Sequence, residues 1–239
     1  MMEIIPYGES ALLVNFEQRI DPIINASLHR LRKNILALPA ELGITFALPS
    51  YCSLLIGFKG GKALAEKIIV ALSSLKEEQL PTTLSRSIQW KIPVCFETDF
   101  GPDLSEVCAE EKRSQDELLR LLTTADLRVY ACGFIPGFAY LGTTGLDVSR
   151  RSEPRKIVPA GSIGLAGSQT GIYPCDSPGG WKIVGQTPLR VLRKERKIPY
   201  LFSPGDELRF YSISREEFDA LKIIENSGKL DPYTFRNEI

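Results

Sequence analysis

Between Gly133 and Thr187 a glycine or a proline interrupts the chain every few residues, so a helix of ordinary length cannot persist there. The segment has to fold as short strands joined by constrained turns. Val129 to Gly133, Ile163 to Ala166, Trp181 to Thr187, Leu189 to Leu192 and Leu208 to Tyr211 are the strand candidates. Many short strands at this spacing favour a closed or nearly closed barrel over a parallel sheet.

The first third of the chain reads differently. Asp21-Pro22 supplies an N-cap acceptor and a first-turn proline, and Ile24, Leu28, Leu31, Ile35 and Leu38 follow at helical spacing. Strand-like runs flank this helix at Ala11 to Phe16, Ile44 to Leu48 and Ser53 to Ile56. A second amphipathic helix is expected over Lys62 to Leu75. The polar stretch KEEQLPTTLSRS reads as a linker, after which Ile88 to Val94 resumes strand character. The order β-α-β-β-α-β predicts a small ferredoxin-like α/β domain over residues 1–86, followed by a barrel domain over 87–239, an α+β chain overall. Asp103 with Glu106 and Ser114 with Glu117 read as capping boxes of two short helices, and no helical period is expected beyond Arg128.

Lysine plus arginine equal aspartate plus glutamate at 29 each, so no net field draws the chain to nucleic acid or to an anionic membrane. The start MMEIIPYGESALLVNF lacks a basic n-region and a long apolar core, and no apolar run is long enough to span a bilayer; a cytoplasmic location is expected. Five cysteines, odd in number and never in a CxxC pair, read as reduced and mostly buried thiols rather than a disulfide frame or a zinc site. The single histidine, His29, excludes a metal site that needs two, and no bound metal or prosthetic group is predicted. Gly57 to Ala63 lacks the spacing and the Ser/Thr of a phosphate loop, and Ala160 to Gly164 is not a nucleophile elbow.

Chemistry concentrates in three stretches of the glycine-rich half. In the first, Gly133 to Leu141, two glycines and Pro136 shape the backbone while Phe134, Phe138 and Tyr140 present flat apolar faces; Gly137 is the second of the glycines. The second, Pro159 to Pro174, offers Ser162, Ser168, Gln169 and Thr170 together with main-chain amides that could cradle a carboxylate or phosphate, and ends on Tyr173. The third, Ser177-Pro178-Gly179-Gly180-Trp181, ends in a large aromatic and leads to Gln186. Arg150, Arg151, Arg155 and Lys156 lie between the first two, with Arg150 and Arg155 as the candidate cations for an anionic ligand. A solvated charge run and a tight barrel corner are the bland alternatives.

GFIPGFAYLG, VPAGSIGLAGSQTGIYP, SPGGWKIVGQTP and FSPGDELRF carry a resemblance to the KipI / allophanate hydrolase subunit 1 family, which includes the B subunit of bacterial 5-oxoprolinase. The resemblance implies a cyclophilin-like β-barrel for the second domain and a small α/β first domain. It further implies a homologous partner (of the KipA, allophanate hydrolase subunit 2 or 5-oxoprolinase C-subunit type), a third lactam-utilisation subunit, and ATP with magnesium shared among the subunits for opening the lactam of 5-oxoproline to glutamate. The KipI branch implies instead an inhibitor that docks on a sensor histidine kinase. Two positions depart from the family pattern. Leu122 stands in the stretch where many relatives have a histidine, and Gln186 where arginine is common.

Overall fold

The computed structural model describes residues 2–75, 88–195 and 199–238, and the chain divides into two compact units, Met1–Ser85 and Arg86–Ile239. The linker-like stretch 76–87 lies outside the described residues.

The first unit runs β1 (Glu3–Pro6), β2 (Ala11–Asn15), α1 (Pro22–Leu36), β3 (Ile44–Pro49), β4 (Ser53–Phe58) and α2 (Lys62–Leu75). Its antiparallel sheet has the order β1-β2-β4-β3. Asp21 caps α1 as expected, its Oδ1 accepting from the amides of Ile23 at 2.8 Å and Ile24 at 3.0 Å. Leu28, Leu31 and Ile35 bury one face of α1 against Leu12, Val14, Leu54, Ile56, Ile68 and Leu72. The expected order needs correction in one element. Ile88–Val94 belongs to the second unit, and the sheet position beside β2 that a strand after α2 would take is filled from the N-terminal side by β1. The βαββα core of a ferredoxin-like layer is kept, with its fourth strand permuted to the front of the chain.

The second unit contains β5 (Ile88–Val94), α3 (Leu104–Glu110), α4 (Gln115–Thr124), β6 (Leu127–Cys132), β7 (Ala139–Leu141), β8 (Arg155–Val158), β9 (Ser162–Ala166), β10 (Gln169–Ile172), β11 (Ser177–Gly179), β12 (Lys182–Gln186), β13 (Glu207–Ser212), α5 (Arg215–Asn226) and β14 (Arg236–Glu238). Eight strands form one sheet in the order β12-β9-β10-β7-β6-β13-β5-β14, and β8 pairs with β11 alongside. The sheet curls on itself. Cys95, just past β5, and Gln186, at the end of β12, exchange two main-chain hydrogen bonds of 2.9 Å although their strands lie far apart in the sheet order. Trp90, Ile92, Val129, Leu141, Ile163, Leu165 and Val184 fill the interior with Leu118 and Leu122 of α4.

Four further expectations change. Ser114 and Glu117 form the capping box of α4, but Asp103 makes no capping bond to α3 because its carboxylate is engaged elsewhere. Leu189–Leu192 is not a strand; only Leu192 makes a bridge, to Tyr200. A helix does occur late in the chain: α5 starts at a second capping box, Ser214 with Glu217, and is anchored by Glu225. Glu225 is fully buried against Arg193 and accepts from the Arg190 amide at 2.9 Å. Of the five thiols only Cys95 is buried, and Cys132 is exposed. Among the described residues no helix is long and apolar enough to cross a membrane.

Candidate functional site

Glycines of the curled sheet make room for a cluster of rings. A Cβ on Gly171 of β10 would lie 2.7 Å from the Phe138 ring and 2.9 Å from that of Trp181, and one on Gly179 of β11 would lie 2.4 Å from the Tyr173 hydroxyl. With hydrogen at those positions the aromatics settle onto the strands. Phe138 is the hub: Tyr173 meets it edge-on at 5.0 Å, Trp181 edge-on at 5.5 Å, Tyr140 at 4.7 Å and Phe134 edge-on at 5.8 Å.

Phe134, Phe138, Tyr140, Arg150, Pro154, Tyr173, Pro178, Gly179, Gly180 and Trp181 enclose a cavity of about 290 Å³. The first and third glycine-rich stretches therefore converge, and the second contributes Tyr173. The Arg150 guanidinium lies 5.8 Å from the centre of the Trp181 ring. Burial pushes the Tyr140 and Tyr173 phenols up from their usual value, opposed in both by the Arg150 charge, so both are neutral hydroxyls near pH 7. Phe134 is held at φ 66°, a left-handed backbone rare for a bulky residue, with its side chain 67% exposed at the mouth. A wider groove of about 910 Å³ lies over β5 and β13, and none of the sequence-predicted residues lines it.

The remaining candidates stand apart from the cavity lining. Pro136 and Gly137 shape the loop, Gly137 at φ 87°. Ser162 and Thr170 are buried within the ladder, Gln169 pairs with Ala166, and Ser177 is buried on β11 opposite Val158. Three main-chain amides of the second stretch are spent on the sheet and its turns: Gly161 donates to Tyr173 at 2.7 Å, Tyr173 to Ser162 at 3.0 Å and Gly167 to Val148 at 2.6 Å. Gln186 donates from Nε2 to the Ala160 carbonyl at 2.7 Å.

Arg155 is committed as well. Its Nη1 and Nη2 each donate to Asp103 at 2.7 Å, Arg151 Nη1 donates to the same carboxylate at 2.9 Å, and the Ile183 amide donates to it at 2.6 Å. Burial alone would raise the Asp103 pKa, yet the Arg155 bonds, the Ile183 amide and the two guanidinium charges outweigh it and hold the carboxyl below its usual value. Next to it, buried Lys182 pairs with Glu106 at 3.0 Å and with Glu110, and its Nζ lies 3.2 Å from Ser149 Oγ. Sequence reasoning missed this network. Its only local signal was an acid at 103, 106 and 110 on a short helix.

The carboxyltransferase domain, subdomain C and D, family matches residues 2–202. The chain belongs to that family. It is 35% identical over 90% of its length to the B subunit of 5-oxoprolinase from Bacillus subtilis (strain 168), covering 94% of that protein, and 34% identical over 85% to the protein of the same name from Escherichia coli O157:H7, covering 92%. The crystal structure of TTHA0988 superposes with a TM-score of 0.73 at 30% identity, covering 86% of this chain, which spans 40% of that one. Within this carboxyltransferase-family chain, Leu122, in the stretch where many relatives were expected to carry histidine, is fully buried in the core of the second unit. Gln186, at the arginine position, serves the barrel closure through Cys95 and Ala160.

Proposed function

We propose that this chain is the B subunit of an ATP-dependent 5-oxoprolinase, opening the lactam of 5-oxoproline to glutamate in the cytoplasm together with a homologous second subunit and a third lactam-utilisation subunit. One observation carries the reading: likeness to the Bacillus subtilis 5-oxoprolinase protein runs over 90% of the chain and 94% of the relative, so nearly the whole of one protein aligns with nearly the whole of the other. The aromatic cleft supplies a place for a small ring. Phe134 and Tyr140 stand at its open side over a floor of the buried Phe138, Tyr173 and Trp181 rings, Tyr140 brings a neutral hydroxyl, and Arg150 a cation for a carboxylate.

An unstrained amide is a poor electrophile, and ATP supplies the driving force for opening it. The cleft does not fit the nucleotide. Its lining holds rings and one cation, and among the described residues no three acidic, cysteine or histidine groups gather as a metal site. In this reading the chain binds and orients the lactam and excludes water from it, while ATP and magnesium are held at a site shared with the partner subunits. The test is glutamate release from 5-oxoproline and ATP by this chain combined with its co-encoded partner subunits, with Trp181→Ala as control. Release that depends on this chain and drops in the variant supports the assignment; no release in any combination overturns it.

A further inference from the structure

Five basic residues sit in the segments that build the cleft wall: Arg150, Arg151, Arg155, Lys156 and Lys182. Three of them are neutralised from one source, the start and body of α3. Asp103, 2% exposed, takes Arg155 in a two-point bond and Arg151 in a third. Lys182, 3% exposed, is held between Glu106 and Glu110. Glu110 also accepts from the Ser149 amide at 2.7 Å. The bonded residues alternate with the cleft-lining ones along the chain: Ser149 and Arg151 flank Arg150, Arg155 follows Pro154, and Lys182 follows Trp181. Arg151 further donates from its amide to the Gly180 carbonyl at 2.9 Å. Lys156 is exposed and does not line the cavity. Arg150 does line it, and among the described residues no acid pairs with it.

We propose that Asp103, Glu106 and Glu110 set the charge the cleft accepts: by neutralising Arg151, Arg155 and Lys182 they leave Arg150 as the one available cation, so the cleft takes a small flat ligand with a single carboxylate and rejects polyanions. The inference rests on reading the cleft as a ligand site and adds to the proposed function the valence of what enters. A carboxylate gives up its hydration on entry and recovers that cost from a charge-assisted bond to Arg150. A second negative group in a cavity of about 290 Å³ finds no second cation in the lining, because Arg151, Arg155 and Lys182 lie behind it with their donors spent on α3 and its N-cap. Freeing Arg155 would strip the buried Asp103 of its two-point partner, and that cost discriminates between ligands.

The experiment titrates the full chain calorimetrically with benzoate and with isophthalate, the same ring bearing one carboxylate or two. Benzoate is expected to saturate, with isophthalate weaker by about tenfold, and Arg150→Gln is expected to weaken benzoate by about tenfold through loss of the charge-assisted bond. Asp103→Asn and, independently, Glu110→Gln release neighbouring cations and are each expected to narrow the gap between the two ligands to about threefold or less. Should Asp103→Asn fail to fold, Glu110→Gln at the edge of the network carries the test. Equal affinities in the unsubstituted chain, absence of saturable benzoate binding, or a gap that survives in the folded variants overturns the inference, the last because shape and not charge would then set it. Glutamate release by the assembled subunits is read separately. Turnover without the gap keeps the proposed function and sinks this inference; the gap without turnover does the reverse.

Discussion

Phe134 offers a perturbation in which stability and binding part company. At φ 66° the residue occupies a region that costs an L-amino acid about 1–2 kcal/mol and glycine almost nothing. Glycine gives back about 0.5–1 kcal/mol through the freedom of the unfolded chain, leaving Phe134→Gly more stable than Phe134→Ala by about 0.5–1 kcal/mol. Both changes remove the ring. It is 67% exposed, so about a third of its area, roughly 60 Å², leaves the protein interior at a cost of about 1.5 kcal/mol. Losing the edge contact to Phe138 at 5.8 Å adds about 1 kcal/mol. Alanine should therefore destabilise the second unit by about 2–3 kcal/mol and glycine by about 1–2 kcal/mol. Both tryptophans, Trp90 and Trp181, lie in that unit, so urea unfolding followed by their fluorescence reads it directly. Benzoate affinity should fall by the same several-fold factor in both variants, because the ring and not the backbone touches the ligand. Alanine as stable as glycine would refute the strain, and unchanged affinity in both would remove the ring from the site.

Other outcomes follow from contacts already described. Gly171→Ala places a methyl group 2.7 Å from Phe138 and should cost about 1–3 kcal/mol while abolishing benzoate binding; a stable variant with intact binding would show that the rings have room to move. Glu225→Ala strands Arg193 in the interior and should cost about 3–5 kcal/mol in urea unfolding, against a cost near zero if the pair were solvated. The Lys182 bond, then the Ser149 amide, hold the Glu110 carboxyl down from 4.5 to about 2. A depressed carboxylate stabilises the fold fully above its unfolded value and loses that contribution as pH falls through the folded one. The stability advantage of the unsubstituted chain over Glu110→Gln should thus be constant above about pH 5, shrink as pH falls, and be gone only below about pH 2, and a pH-independent difference would count against the ion pair.

Elements specified by neighbours along the chain were legible, and those specified across it were not. The apolar face of α1 and its Asp21 cap depend on residues three and four apart, and the Ser114 box depends on a partner three residues on. The Ser214 box carried the same signature, and behind it Phe218 and Leu221 sit three residues apart on the packed face of α5, so that helix was legible in the same local terms although it buries only Phe218 and Glu225. Asp103 and Glu106 satisfied the capping pattern equally well, and there the local reading failed. Arginines 48 and 52 residues away and an amide 80 residues away offered Asp103 stronger bonds than an exposed helix end could. Short strands escaped for a related reason. β1 is four residues long and gains its place only by pairing with β2, a register no local pattern states.

The same division runs through the site. Rings and glycines in two stretches declared an aromatic cleft, since a glycine beneath a ring is a local necessity once strands pass under it. The choice among cations was not local. Arg150, Arg151 and Arg155 are indistinguishable as residues, and a charge run of this kind predicts a polyanion site as readily as a solvated face. What separates them is that α3 returns an acid to each neighbour and none to Arg150 among the described residues. Selectivity in such a cleft is then written in the acids behind the wall as much as in the cation on it. Exchanging Asp103, Glu106 or Glu110 should alter which ligands enter without any change to a residue they touch.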